Sequence, residues 1–365
     1  MKIAALASAD PSECRIAVSP ELIKKYIAAG IDVCVQQSGN GAFTSDALKE
    51  AGAKVTTSLD VCTKGADIIL TVSPLTDEQI AAIPKGKVVV GMLDPNHIGP
   101  QLEAYNSKEV AAFSLELLPR ISRAQSMDVL SSQSNLAGYR AVIEAVHVGA
   151  KVVPMMMTAA GTVVPAKALV LGAGVAGLQA IATAKRLGAV VSAFDVRPAV
   201  KEQVESLGGK FIEVPAEEGG ETAGGYAKEM SEAYKQKQQQ LIFDTIIKQD
   251  IVITTALIPG KPAPELITEE MVKAMKPGAV VVDMAAIAGG NCKLTKAGDV
   301  VEKHGVLLVG YTDLPSRVAT DASQLYAKNL YNFVTTLLID KEGNLAPDWD
   351  DELVQGTLLT QKEAA

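Results

Sequence analysis

The sequence predicts an α/β fold with two Rossmann-like, doubly wound parallel-sheet domains, linked by long helices with a cleft between them. Short apolar runs alternate with segments of helical periodicity along most of the chain. A length of 365 residues exceeds what one typical hydrophobic core accommodates, which favours two domains. Hydrophobic residues make up 48% of the chain and aromatic residues only 4%, a composition that suits sheets covered by Ala- and Gly-rich helices.

The first third of the chain contains one such alternating series. Helices are predicted at residues 20–29 and 100–105. Ser19 is predicted to cap the first helix, and the segment from Thr44 to Asp46 is predicted to mark the start of the next one. Because strands that alternate with helices are joined by crossovers, these strands should be parallel. The strands are predicted at residues 3–6, 33–35, 68–72, 88–92 and 110–113.

A second alternating series begins at Ala168, after a helix-rich stretch over residues 119–149 that can carry the chain between domains. Its strands are predicted at residues 168–171, 190–194, 211–214, 251–254, 280–283 and 306–309. Apolar residues at helical spacing over 322–338, Leu325 among them, predict a helix that packs back on the first domain. The predicted domains are therefore 1–130 completed by 321–365, and 131–320.

Charge and cysteine usage exclude several classes of function. The formal net charge is -8 and no cluster of Lys and Arg is visible, so we expect no nucleic-acid partner. The four cysteines are scattered, without a C-x-x-C pair, and are interpreted as buried small apolar residues in a reducing cytoplasm; no metal site is expected. The N-terminus lacks the apolar core of a signal peptide, so we expect an intracellular protein.

A G-x-G-x-x-G pattern predicts a dinucleotide site. The segment from Gly172 to Gly177 follows an apolar run and precedes a helical segment. Glycines permit a tight turn and bring backbone N–H groups to a pyrophosphate, whose charge is favoured at a helix N-terminus. The expected cofactor-binding residues of this turn are Gly172, Gly174, Val175 and Gly177.

The next predicted strand ends at Asp195, followed by Val196 and Arg197, and these three residues are also expected to contact the cofactor. A carboxylate at this position accepts both ribose hydroxyls and repels a 2′-phosphate, by about 4 kcal/mol for two charges 4 Å apart in a partly exposed site. This favours NAD over NADP. Arg197 leaves two interpretations open, a partner for a phosphate or a solvated surface charge.

Two loops are predicted to flank the dinucleotide. Thr255, Ala256 and Leu257 follow the fourth predicted strand of this domain, where loops of parallel sheets face the ligand; the alternative is a plain turn around Pro259. Residues 217–226 are acidic and Gly-rich, too polar for a core, and end in Gly225 and Tyr226, which predicts a mobile lid.

A polar segment over residues 118–135 lies near the predicted domain junction. It concentrates arginine, glutamine, aspartate and serine side chains without a nucleophile or an acid pair. From spacing alone it is either a polar clamp for a ligand or a helix cap with a solvated face.

Residues 119–128 of this segment, with the glycine turn, resemble the NAD(H)-binding component of proton-translocating transhydrogenases. The resemblance covers nearly the whole chain, and its other motifs lie at residues 224–228, 254–264, 289–292 and 311–315. The resemblance implies that the loop from Arg120 to Ser131 holds the nicotinamide and faces an NADP(H)-binding partner. Arg120, Asp128 and Ser131 would fix the carboxamide and ring, and Gln125 would reach toward the second nucleotide. Tyr226 would close over bound NAD(H), and Asp195 would hold the adenosine ribose.

The same resemblance implies a homodimer at the cytoplasmic face of the inner membrane. The chain would either dock on separate NADP(H)-binding and transmembrane subunits or be a domain of a longer, fused polypeptide. The motif at residues 15–20 also resembles alanine dehydrogenase, which needs a base and a cation for its substrate. The lysine and histidine of that family have no counterparts in the loops at 71–74 and 93–95, which favours the transhydrogenase. A module that binds NAD without catalysis is the third interpretation.

Overall fold

The computed structural model describes residues 1–37, 39, 41–213, 232–258 and 260–360, and for residues 232–235 it describes the backbone alone. The chain forms two compact units. Unit 1 comprises Met1–Gln133 with Pro315–Ala365, and unit 2 comprises Ser134–Leu314. Each unit contains a mainly parallel sheet with helices, which confirms the predicted α/β class.

The sheet of unit 1 is parallel throughout, in the order β3-β2-β1-β4-β5-β6. This is the strand order of a doubly wound dinucleotide-binding fold, with the change of direction between β1 and β4. The short edge strand β3 was not predicted. The strands are β1 (Lys2–Ala5), β2 (Asp32–Gln36), β3 (Lys54–Thr56), β4 (Ile68–Leu70), β5 (Val88–Gly91) and β6 (Ala111–Ser114).

Two helices of this unit begin at the predicted polar residues. Ser19 accepts a hydrogen bond from the Leu22 N–H and Pro20 opens the first helix, which confirms the predicted cap. Thr44 caps the second helix through the Ala47 N–H, which confirms the predicted helix start. The helices are α1 (Pro20–Ala28), α2 (Ser45–Glu50), α3 (Leu59–Thr63), α4 (Asp77–Ala82) and α5 (Gly99–Ser107).

The chain passes from unit 1 to unit 2 within one long helix, α6 (Val129–Val148). The stretch predicted as helix-rich over 119–149 is not helical throughout, because a 3₁₀ segment, Ser122–Met127, precedes α6. At 20 residues α6 is the longest helix in the described ranges, and no helix there combines the length and apolarity needed to cross a membrane.

Unit 2 contains a seven-stranded sheet in the order β11-β10-β9-β12-β13-β15-β14 and a separate hairpin of β7 and β8. The edge strand β14 is antiparallel to β15, and neither it nor the hairpin was predicted. The strands are β7 (Met156–Thr158), β8 (Gly161–Val163), β9 (Lys167–Leu171), β10 (Val190–Phe194), β11 (Lys210–Ile212), β12 (Ile251–Thr254), β13 (Val280–Asp283), β14 (Val300–Lys303) and β15 (Val306–Val309).

Two buried clusters, one on each face, hold the large sheet of unit 2. The central strand β9 contributes to both, since Ala168 and Val170 point to one cluster while Leu169 and Leu171 point to the other. A strand buried on both faces explains the continuous apolar run that predicted it. The helices are α7 (Val175–Arg186), α8 (Lys201–Ser206), α9 (Glu232–Ile246) and α10 (Glu269–Ala274).

The C-terminal segment returns to unit 1 as α11 (Ala319–Phe333), a π-helical turn (Val334–Leu338) and α12 (Glu352–Thr357). Tyr326, Leu330 and Phe333 are buried in the same cluster as residues of β1, β4 and β5. The helix therefore covers the first sheet, as its apolar spacing predicts. Leu325 is an exception, because it lies on the outer face and is 44% exposed.

Candidate functional site

The glycine turn connects β9 to α7 at the centre of the large sheet. Gly172 has φ +98°, a conformation that side chains rarely adopt, and its N–H donates to the Phe194 carbonyl at 2.8 Å. A Cβ on Gly177 would lie 1.9 Å from the Gly172 carbonyl oxygen, so only glycine allows the helix to pass this close to the turn. The turn lies between β10 and β12, at the change of direction where doubly wound sheets bind nucleotides.

The N-terminus of α7 fits a phosphate group. Gly174 caps this helix and supplies no side chain to accept from the N–H groups of its first turn. Among the described residues, a Cβ at Gly174 would have only the Arg197 guanidinium nearby, at 4.0 Å, so no described side chain fills the space in front of the helix. The 12-residue helix carries basic residues in its last turn, and its dipole favours an anion at its N-terminus.

Asp195 follows β10 and is tightly bound by its neighbours. Its carboxylate accepts from the Ala173 N–H at 2.7 Å and from the Arg197 N–H at 2.8 Å. The Arg197 guanidinium also donates to both carboxylate oxygens, at 3.0 and 2.9 Å. Arg197 is thus partnered with Asp195, and Asp195 itself connects the glycine turn to the end of β10.

The loop after β12 lies against the glycine turn. The Thr255 hydroxyl donates to the Gly172 carbonyl at 3.0 Å, and the Thr255 N–H donates to the Leu171 carbonyl at 2.9 Å. Leu257 and Ile258 are 46% and 43% exposed, respectively. Exposed apolar side chains on a loop that contacts the glycine turn form a surface that a ligand can cover.

Some residues of the expected site lie outside the described ranges. This applies to the predicted lid, including Gly225 and Tyr226, and to Pro259 in the loop after β12.

In unit 1, the segment from Arg120 to Ser131 presents polar side chains from a buried base. Ala124 and Met127 are buried in the main core cluster of this unit, whereas Arg120 and Gln125 are exposed. The buried side chains anchor the backbone of this segment, and the exposed polar side chains between them remain accessible to a ligand.

Long-range contacts to Asn329, Asn332, Asp351 and Glu352 hold the same segment. The Asn329 and Asn332 side chains both donate to the Ser126 carbonyl at 2.9 Å. Arg123 donates to both carboxylate oxygens of Asp351, each at 2.7 Å. The segment is therefore fixed by α11 and by the start of α12, neither of which sequence reasoning had connected to it.

Sequence reasoning also missed two buried polar residues, Asp283 and Asn291, which lie beneath the loop after β12. Both are 0% exposed. Asp283 ends a predicted strand, and strand ends at this edge of a parallel sheet are where site residues concentrate, so a signal was present. Asn291 follows two glycines with positive φ, a local sign of a sharp turn.

The histidines and cysteines form no catalytic or metal cluster within the described ranges. His97 contacts Asp94 at 2.8 Å and His304 contacts Glu269 at 3.1 Å, both at the surface. Three cysteines are buried as predicted, whereas Cys14 is partly exposed, and all four are free thiols. Within the described part of the chain, no three His, Cys, Asp or Glu residues are grouped to hold a metal ion.

Comparison with known proteins gives one consistent family. The alanine dehydrogenase/PNT N-terminal domain matches residues 7–137, and the C-terminal domain of the same family matches residues 141–365. An NAD(P) transhydrogenase alpha subunit of Rhodospirillum rubrum is 54% identical, over 100% of this chain and 97% of the relative. The alanine dehydrogenase of Mycolicibacterium smegmatis is 29% identical, over 94% of this chain and 89% of that protein.

A solved structure agrees with this result. The crystal structure of transhydrogenase from Sinorhizobium meliloti superposes with a TM-score of 0.90 at 48% identity, over 100% of both chains.

Proposed function

Because the chain belongs to the alanine dehydrogenase/PNT family, a family of oxidoreductases, we propose that it is the NAD(H)-binding subunit of a proton-translocating transhydrogenase. The observation that carries the proposal is the 54% identity to a transhydrogenase alpha subunit over the whole chain. In this function, the chain presents NADH or NAD⁺ for direct hydride transfer to or from NADP(H) on a partner subunit. Membrane subunits couple the transfer to proton translocation.

The chemistry of the site supports direct transfer. Hydride transfer between two nicotinamide rings needs alignment and exclusion of water but no protein acid or base. Arg120, Asp128 and Ser131 supply hydrogen-bonding groups that can hold a carboxamide, and exposed Gln125 is available to a second nucleotide. Bound NADH would supply the hydride, and these residues would orient its nicotinamide ring.

Within the described residues, the proposed cofactor contacts in unit 2 lie in the segments that follow three strands, β9, β10 and β12. The N-terminus of α7 would bind the pyrophosphate through Gly174 and Val175. Asp195 would accept the adenosine ribose hydroxyls, with Val196 and Arg197 beside it. The remaining proposed contacts are Gly172, Gly177, Gly225, Tyr226, Thr255, Ala256 and Leu257.

The decisive experiment mixes the purified chain with the NADP(H)-binding domain of a transhydrogenase, NADPH and acetylpyridine adenine dinucleotide. Reduction of the analogue, followed by its absorbance, is the expected result. Binding of NADH without any transfer would instead support a module that senses NAD. A chain that does not bind NADH would overturn the proposal.

Alanine dehydrogenase is the second candidate, and the contacts of Arg15 argue against it. This arginine lies in the motif that resembles that enzyme, and its guanidinium donates to both carboxylate oxygens of Glu13, at 2.8 and 2.6 Å, and to Gln133 at 2.8 Å. Three of its five N–H donors are thereby engaged, which leaves fewer for a substrate carboxylate. Formation of NADH that depends on alanine, by the chain alone, would favour this candidate.

The proposal includes partners and a location. Hydride transfer to NADP⁺ requires an NADP(H)-binding subunit, and proton coupling requires membrane subunits, so the chain would lie at the cytoplasmic face of the inner membrane. We also propose a homodimer. The hairpin of β7 and β8 supports it, because Met157 is 79% exposed and both hairpin strands are exposed throughout. Light scattering on the wild type and on Met157→Asp tests the assembly.

A further inference from the structure

A buried polar cluster lies directly beneath the loop that begins at Thr255. Its two members are Asp283, the last residue of β13, and Asn291, which follows the Gly289–Gly290 turn. Fully buried polar side chains are retained only when their hydrogen bonds are satisfied. The partners of these two residues therefore show what the cluster holds in place.

The Asp283 carboxylate accepts hydrogen bonds from three segments. One carboxylate oxygen accepts from the Thr254 hydroxyl at 3.2 Å, and from the N–H groups of Ala285 and Asn291, each at 3.1 Å. The other accepts from the Cys292 N–H at 3.0 Å. A Cβ on Gly290 would lie 2.7 Å from this second oxygen, so glycine is needed for the chain to approach it. Asp283 thereby fixes the position of the Asn291 backbone.

Both polar atoms of the Asn291 side chain are hydrogen-bonded to the neighbouring loop. Its carbonyl oxygen accepts from the Ala256 N–H at 3.2 Å, and its amide nitrogen donates to the Ala256 and Pro264 carbonyls, both at 2.8 Å. Its backbone carbonyl accepts from the N–H groups of Leu266 and Ile267 at 2.9 and 3.0 Å. Both ends of the segment from Ala256 to Ile267 are thus attached to one residue.

This attachment reaches the glycine turn through one more step. Thr255 precedes Ala256, and its hydroxyl donates to the Gly172 carbonyl at 3.0 Å. A Cβ on Gly172 would lie 2.5 Å from the same hydroxyl oxygen, so the two segments are in close contact. The position of Ala256 therefore determines where Thr255 meets the turn.

We propose that Asn291, held by Asp283, is a positioning residue that fixes the loop after β12 against the glycine turn before the dinucleotide binds. The inference rests on the proposed NAD(H)-binding function and extends it to residues that need not touch the cofactor. A loop ordered in advance loses less conformational freedom on binding, which raises affinity.

The first test uses ligand-free wild-type protein and amide hydrogen exchange. The Ala256 amide should be protected, since it is bonded to a buried side chain rather than to water. Exchange at the rate of an unprotected amide would overturn the proposal. This measurement needs no variant and no NADH, so it also remains decisive if the proposed function fails.

The second test uses variants and the NADH dissociation constant, measured by fluorescence. Asn291→Asp keeps the shape but replaces two donors with an acceptor facing two carbonyls, and Asn291→Ala removes the side chain. Both should weaken NADH binding by about tenfold and speed exchange at Ala256. Asn344→Asp makes the same change in an exposed turn, and Thr268→Ala removes the cap of α10; neither should change the affinity.

Outcomes separate the two claims. Wild-type protein that binds NADH, with Asn291 variants that fold and bind it equally well, would overturn the positioning role and leave the proposed function intact. Wild-type protein that does not bind NADH would overturn the function. A variant with lower thermal stability but unchanged affinity and Ala256 exchange would show a purely structural role.

Discussion

The Asp128 carboxylate accepts two hydrogen bonds from Ser131, one from its N–H at 2.9 Å and one from its hydroxyl at 2.5 Å. Both residues are proposed to contact the nicotinamide. The contact also caps the N-terminus of α6, because an aspartate before the first turn accepts from the N–H three residues later. The two interpretations of the polar segment, ligand clamp and helix cap, therefore describe the same pair of residues.

The two roles can be separated by substitution. Ser131→Ala removes the hydroxyl contact but keeps the N–H contact, so it should slow hydride transfer while leaving the free energy of unfolding nearly unchanged. Asp128→Ala removes the cap as well and should cost about 1 kcal/mol of stability. Asp128→Ser is the matched control, since serine still caps the helix. It should recover the stability without the transfer rate, measured by urea unfolding and by analogue reduction.

Gln125 should affect transfer far more than binding. Its side chain is exposed while its neighbour Ala124 is buried, so the backbone is fixed and the amide is presented outward. Gln125→Asn shortens the reach by one methylene and should slow hydride transfer by about tenfold, with the NADH dissociation constant within about twofold of wild type. Gln240→Asn on α9 is the control. Equal losses in rate and in affinity would remove Gln125 from its proposed role.

Asp195 should set both affinity and cofactor preference. Asp195→Ala removes the ribose acceptor and the partner of the Ala173 N–H, and should weaken NADH binding by about tenfold while narrowing discrimination against NADPH. In Asp195→Asn the side-chain oxygen still accepts from the Ala173 N–H. This variant therefore separates the effect of losing the charge from the effect of losing the contact with the glycine turn. Fluorescence titration with both nucleotides provides the measurement. If neither variant changes either affinity, Asp195 does not contact the ribose.

Arg197→Ala gives the complementary result. Removing the guanidinium releases the Asp195 carboxylate, so NADH binding should be retained and NADPH binding should become weaker still. An increase in NADPH affinity would show that Arg197 does not attract the 2′-phosphate.

Local signals explain which elements of the fold could be predicted. The caps at Ser19 and Thr44 depend on neighbours within four residues, and β9 was visible as a continuous apolar run because both of its faces are buried. The edge strands β3 and β14 contain no buried residue and so lack this pattern. Leu325 has helical spacing but lies on the exposed face, which periodicity alone does not identify.

The candidate site likewise contains some features that have a local sequence signal and others that do not. The turn from Gly172 to Gly177 is a local motif whose geometry follows from glycine itself. Contacts between distant segments carry no such signal. Asn291 meets Ala256 across 35 positions, and Arg123 meets Asp351 across 228. Such pairs become visible only when the fold brings the segments together.

Acid should weaken unit 2 through Asp250. Burial disfavours its charged form, but hydrogen bonds from the Lys167 N–H, Lys276 and Lys151 outweigh burial and hold its pKa below the ordinary value. A carboxylate whose folded pKa is depressed contributes stability above its unfolded pKa of about 3.9, and this contribution is lost as pH falls through the folded pKa. Asp250→Asn should therefore cost about 1–3 kcal/mol at pH 7.

The measurement is urea unfolding of wild type and Asp250→Asn from about pH 3 to about pH 7, a range that includes the unfolded pKa of about 3.9. The difference in the free energy of unfolding should be constant near neutrality and shrink below about pH 4. A difference that stays the same down to pH 3 would show that the ionised carboxylate of Asp250 is not its source.

The ion pair between Arg123 and Asp351 should maintain the geometry of the segment from Arg120 to Ser131. Asp351 also caps α12 through the Leu353 N–H, and asparagine caps as well as aspartate, so Asp351→Asn removes the charge without the cap. This variant and Arg123→Lys should each slow hydride transfer by about threefold with little change in NADH affinity, and the double variant should be no slower than either one. Glu352→Gln, at the longer contact of 3.3 Å, should have a smaller effect. Because Arg123 is 45% exposed, the loss of transfer rate in each variant should shrink in high salt. Rate losses that multiply in the double variant would show that Arg123 and Asp351 act independently.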